Sequence, residues 1–362
     1  MDAANASSLA DATVPARPRT SPPPARKIAR GPARLGAGLV LTAAAVLAAA
    51  WASLLIGPGD VPAGAAWNAI FDYDPAVKAQ LIAQEVRIPR TVAGLLAGAA
   101  LGLAGAIMQG VARNPLADPG LLGVNAGAAV AVVVAIGLFG LTSPAQYIWF
   151  GFLGALGAAV LVYTVAARGR GGATPVKLAL AGAATAALLG SITRAILLTQ
   201  RETYEQFRFW EVGSLAGRDG EVLRQALPFI VAGVVLALCL GPRLNALSLG
   251  DDVARGLGQR VGLARAGAAA VVVLLCGSAT VVAGPLIFVG LVVPHVARLI
   301  VGPDHRWLLP YSALLAPVLL LVSDIIGRVV AWPGEVQVGI VTGALGSIPF
   351  IWLVRRRETA EL

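Results

Sequence analysis

The side chains able to do chemistry are few. Asp324 stands inside a long apolar run, four residues before Arg328. An acid at membrane depth is costly and is by default a functional candidate, but an i,i+4 arginine can satisfy it locally, which favours a structural ion pair. His295 and His305 are the two histidines. With Cys239, Cys276 and two methionines they make no transition-metal ligand set, and the cysteines read as small buried hydrophobes. No nucleophile–base pair stands out, so a hydrolase is not expected. A Walker A loop needs Gly-Lys-Ser/Thr, whereas Lys27, Lys78 and Lys177 are never preceded by glycine. The chain is expected to bind no cofactor, and any ATP-driven step must use a partner's nucleotide site.

What must hold these residues is a membrane. The chain has 362 residues, 57% hydrophobic and 13% charged, and charge-free runs long enough to cross a hydrocarbon core of about 30 Å recur along it. The dyad alternation of a β-barrel is missing. The expected class is an all-α polytopic membrane protein with about ten spans, near 35–56, 91–110, 120–140, 146–167, 177–199, 224–242, 264–284, 286–301, 308–330 and 336–354. Residues 1–35, rich in Ala, Pro, Ser and Arg, read as a disordered basic tail, and 358–362 as a short C-terminal tail. With both termini inside, about nineteen of the 28 Lys and Arg fall on the inner side, as the positive-inside rule requires. Trp51, Trp149, Trp307, Trp332 and Trp352 lie near span ends, where an interfacial belt would place them.

Two connections are too structured to be plain loops. Residues 57–90 form an outer segment in which "AAWNAIF" reads as a short helix. Residues 243–264 form an inner loop with helical periodicity and glycine breaks, carrying Leu249, Val253 and Leu257 on one stripe. That stripe suits either a lever into a cytoplasmic partner or a segment lying on the lipid surface. Glycines recur every four residues at Gly94/Gly98/Gly102, at Gly123/Gly127, at Gly182/Ala186/Gly190 and at Gly339/Gly343, the pattern of close helix packing in lipid. Arg87 and Arg90, at i and i+3 on the outer boundary, suit either snorkelling or a docking patch for an acidic partner.

Several long motifs, in order, resemble one family. "RIPRTVAGLLAGAALGLAGAIMQGVARNPLADPGLLGVNAGA", "ALSLGDDVARGLG", "GPLIFVGLVVPHVARLIVGPDHRWLLP", "SDIIGR" and "GEVQVGIVTGALGSIPFIWLV" are similar to the FecCD-type permeases, the membrane subunits of ABC importers for ferric siderophores, haem and cobalamin. The resemblance runs from about residue 36 to 357. It implies ten membrane helices, a second permease subunit, two cytoplasmic ATPases and an extracytoplasmic binding protein. It further implies that Arg87, Arg90 and Arg328 receive acidic groups of the binding protein. Leu249, Gly250, Asp251, Asp252, Ala254, Leu257 and Gly258 would dock on the ATPase, while Asn114, Leu116 and Thr174 would form a cytoplasmic gate. The fifth span would line the path. An iron–siderophore importer permease is the leading expectation; cobalamin or haem as cargo, a proton-coupled secondary transporter, and a transport-silent subunit are the alternatives.

Overall fold

A computed structural model of the chain describes residues 31–168, 174–218 and 220–358; the expected basic tail up to residue 30 and the last four residues lie outside them. Among the described residues every regular element is helical. Seven helices are long and apolar enough to cross a membrane and three shorter apolar ones accompany them, matching the ten expected spans. The first is α1 (Pro32–Leu55). After it come the short α2 (Ala63–Phe71) and α3 (Lys78–Ile82). A π-turn, Ala83–Arg87, then leads straight into α4 (Ile88–Ala112). Next are α5 (Val124–Phe139), α6 (Pro144–Ala167), α7 (Pro175–Thr199), α8 (Arg201–Glu211) and α9 (Gly220–Cys239). The last six are α10 (Gly241–Ser248), α11 (Asp251–Gly256), α12 (Val261–Ala283), α13 (Val289–Val301), α14 (His305–Val330) and α15 (Val338–Glu358).

The "AAWNAIF" helix is present as α2. The rest of the 57–90 segment is more helical than its polarity suggested: Lys78–Ala112 is one 35-residue apolar helix, about 50 Å long. Lys78, Gln80, Gln84, Glu85 and Arg87 lower the hydropathy before residue 91 without breaking the helix, because none is a strong helix breaker. The amphipathic α8 lies between the expected spans 177–199 and 224–242, and its charged run RETYEQFRFWE has no membrane-length apolar stretch.

Helix α4 is the axis of the bundle; 78% of its best apolar window is buried, against 22% for α1 and α7. Its glycines account for this. A Cβ on Gly98 would sit 2.6 Å from the Pro317 Cα, and one on Gly102 would collide with the Ser312 carbonyl, both on α14. Gly94 faces Leu321, and Gly105 meets the Gly290 carbonyl on α13. The repeat at 94, 98 and 102 is therefore the α4–α14 seam, where backbones approach with no side chain between them. Gly127 on α5 and Gly154 on α6 make a second such seam. The repeat on α7 is different: Gly182 is buried, but Gly190 faces open space, and the neighbouring Ala183, Ala184 and Ala187 are exposed, so α7 turns part of its small-residue surface away from the other described helices.

Candidate functional site

At one end of α4 three arginines converge. Arg87 leaves the π-turn toward the end of α1, where its guanidinium donates to the carbonyls of Leu54 (2.6 Å), Gly57 (3.2 Å), Pro58 (3.2 Å) and Gly59. Arg90, one turn on, points instead at α14. Its Nε lies 2.9 Å from Asp324 Oδ2, its Nη2 2.8 Å from Asp324 Oδ1, and its Nη1 2.7 Å from Glu335 Oε2. Arg328 closes the cluster, pairing at 2.8 Å with Asp324 Oδ2, the oxygen that Arg90 Nε also reaches, and donating to the Ser53 and Ile56 carbonyls and to Ser53 Oγ. The Asp324–Arg328 pair expected from spacing is present, and Asp324 serves Arg90 as well. All three arginines are buried, at 2%, 7% and 2% exposure, with Asp324 at 1%, whereas Glu335 is exposed. The pocket fixes three guanidiniums against two carboxylates and a ring of carbonyls, which clamps α1, α4 and α14 together. Glu335, in the connection between α14 and α15, was missed from the sequence; Arg90 and Asp324 lie 234 positions apart, and no spacing rule links them.

At the other end of α4 the helix stops at Arg113, which takes a left-handed conformation (φ 50°). Asn114 then builds a tight turn: its Oδ1 accepts the Leu116 amide at 2.9 Å and its carbonyl accepts the Ala117 amide. Asp118 caps the following 3₁₀ turn (Pro119–Leu122) by accepting the Gly120 amide at 2.7 Å. Burial raises the Asp118 pKa above the ordinary carboxylate range, more than that amide bond lowers it. Thr174 is the N-cap of α7, with its Oγ1 3.4 Å from the Lys177 amide. One turn on, Leu178 lines a small apolar cavity together with Val111, Ala112 and Leu122. The three proposed gate residues thus sit at the ends of α4 and α7 that flank this cavity.

The α10–α11 element lies at this same end, and its two faces differ. Leu244, Leu247 and Ala254 are buried against the bundle, while Leu249, Val253 and Leu257 are exposed. Gly250 (φ 108°) and Gly258 (φ 81°) bracket α11 in conformations that side chains rarely adopt. Asp251 and Asp252 occupy its first turn, where the helix dipole favours acids. Asp251 turns inward and pairs with Arg113 of the α4 terminus and, at 2.9 Å, with Arg265 of α12; Asp252 stays in solvent beside Arg255. On α10, Asn245 reaches Asp304 and His305 at the start of α14. Burial works against the Asp304 carboxylate, but its bonds from Asn245 and the Arg306 amide prevail and hold its pKa below the ordinary range.

An all-helical bundle of this kind, with the charged clusters just described at its two ends, has the build of a polytopic membrane permease. Comparison with known proteins gives the family: the sequence model of the FecCD transport family matches residues 45–356. The chain belongs to that family, and it is a multi-pass inner-membrane permease subunit of a metal-chelate ABC importer, not an enzyme. It is 47% identical over 306 residues to the ferric enterobactin transport system permease protein FepD of Escherichia coli (strain K12), covering 84% of this chain and 91% of that one. It is 40% identical to the siderophore transport system permease protein YfiZ of Bacillus subtilis (strain 168), covering 81% and 89%. Among solved structures, a chain described as a metal-chelate type ABC transporter in an inward-facing conformation superposes with a TM-score of 0.77 at 28% identity, over 90% of this chain and all of that one.

Proposed function

We propose that the chain carries an iron–siderophore chelate into the cytoplasm as one of two permease subunits driven by a pair of cytoplasmic ATPases and loaded by an extracytoplasmic binding protein. The cargo follows the ferric enterobactin permease, with which nearly half of the aligned residues are shared. The observation that carries the ATP-driven mechanism is the α10–α11 element. A bundle-anchored module that exposes Leu249, Val253 and Leu257 beside the solvated Asp252 has the form of a plug for a partner's cleft. A proton-coupled carrier is less well supported, because both oxygens of Asp324 are held by arginines.

In this reading both termini and the Arg113 end face the cytoplasm, where Asn114, Leu116 and Thr174 form the gate, and the Arg90 end faces outward. The open face of α7 lines the path between the two permeases. Arg87, Arg90 and Arg328 receive acidic groups of the binding protein, which requires the turn at 57–59 and the Glu335 carboxylate to move off them first. ATP binding draws the ATPases together, and access alternates because ATP favours one arrangement of the complex over the other.

The test is uptake of a 55Fe-labelled ferric triscatecholate by proteoliposomes holding the assembled complex and its binding protein. Uptake is expected to require a hydrolysis-competent ATPase and to withstand a protonophore. Uptake that persists with a hydrolysis-dead ATPase and collapses with the protonophore would overturn the proposal.

A further inference from the structure

Asn245 sits in the middle of α10, and each atom of its amide is used. Nδ2 donates to Asp304 Oδ1 at 2.6 Å, and since a carboxylate only accepts, this fixes which way the amide points. Oδ1 then accepts twice from one residue, from the His305 backbone amide at 2.8 Å and from His305 Nδ1 at 2.9 Å. Asp304 Oδ1 also caps α14 by accepting the Arg306 amide at 2.9 Å. The His305 ring is 4% exposed. Its Nε2 has no hydrogen-bond partner and lies where a Cβ on Gly110 of α4 would be 2.7 Å away. One amide thus joins α10 to the first turn of α14, with an imidazole wedged against α4.

Besides its apolar packing, the module's ion pairs from Asp251 to Arg113 and Arg265 are built from long side chains that remain partly exposed, and such pairs are weak and adaptable. The Asn245 bonds are short, partly buried and made by an amide with two rotatable bonds to a helix cap, so they leave little slack. The far end of α14 carries Asp324 and Arg328.

Resting on the α10–α11 element being the ATPase lever, we propose that Asn245 is a positioning residue for energy coupling, which locks α10 to the Asp304–His305 cap so that displacement of the lever is delivered to α14. It touches neither cargo nor nucleotide.

The experiment uses the full complex in proteoliposomes and reads ATP hydrolysis, uptake of the 55Fe-labelled ferric triscatecholate, and the distance between spin labels at Val330→Cys and Leu138→Cys with Cys239 replaced. Both labelled positions are exposed. For Asn245→Ala, uptake per ATP hydrolysed should fall at least tenfold with the complex intact and hydrolysis within twofold of the parent, and the ATP-dependent label shift should disappear. Asn245→Asp faces the Asp304 carboxylate and should behave the same way. An unchanged uptake-to-hydrolysis ratio in Asn245→Ala, loss of the assembled complex in that variant, or an ATP-dependent label shift that persists in it would each overturn the proposal. If the parent moves its label with ATP but takes up no chelate, the cargo assignment fails, and the label shift in Asn245→Ala still decides the role of Asn245.

Discussion

Asp324→Ala removes the one carboxylate shared by two buried arginines. Breaking a buried pair from one side costs about 3–5 kcal/mol, because the remaining charge is left uncompensated. Here two cations lose a partner, yet neither is stranded. Arg90 keeps Glu335 at 2.7 Å, and Arg328 keeps the Ser53 and Ile56 carbonyls and Ser53 Oγ. The loss should therefore lie near the low end, about 3 kcal/mol. At about 2 °C per kcal/mol for a chain of this size, the unfolding midpoint should drop by about 6 °C. The assay is the fraction of monodisperse complex surviving stepped heating, read by size exclusion. A further arm replaces all three members, Arg90→Met, Asp324→Leu and Arg328→Met, and should recover most of the loss, since a whole buried ionic group can be exchanged for apolar packing at little cost. A midpoint for Asp324→Ala within one or two degrees of the parent would refute the reasoning, because a carboxylate holding two buried guanidiniums cannot be removed silently.

Two more predictions follow from the geometry of the seams and turns. Gly98→Ala places a Cβ 2.6 Å from the Pro317 backbone, which cannot yield as a side chain can, and should cost about 1–3 kcal/mol. Gly190→Ala meets nothing in the chain and should be neutral or gain up to about 1 kcal/mol of helix propensity; thermal midpoints of the two variants compare them directly. Asp118→Asn should keep the cap, because asparagine caps as well as aspartate, and should remove a pH dependence. With its folded pKa raised, Asp118 holds its proton longer when folded, so parent stability falls as pH rises from the ordinary carboxylate range through the raised value. The variant should match the parent at the acid end and exceed it near neutrality, measured by midpoints across a pH series.

The helices were legible because membrane spans announce themselves as apolar runs, and the α4–α14 seam because glycine at every fourth residue has few other uses in lipid. The Asp324–Arg328 pair was legible because it is local. Arg90 to Asp324, Asp251 to Arg113 and Arg265, and Asn245 to Asp304 and His305 were not, since each joins elements whose neighbourhood exists only after the bundle has formed. Polarity also misled at residues 78–90, where charged side chains ended the hydropathic run but not the helix. The α7 repeat reads like the α4 repeat on paper, yet only its surroundings tell that Gly190 faces open space while Gly182 is buried.

Helix lengths in the bundle are unequal. Residues 88–112 of α4 measure about 37 Å, but the 16 residues of α5 and the 13 of α13 reach only about 24 and 20 Å, against a hydrocarbon core of about 30 Å. Tilt can absorb an excess, whereas a shortfall is met by local thinning of the bilayer, by snorkelling of flanking residues or by packing against neighbours. A change in bilayer thickness should therefore load α5 and α13 before the longer helices.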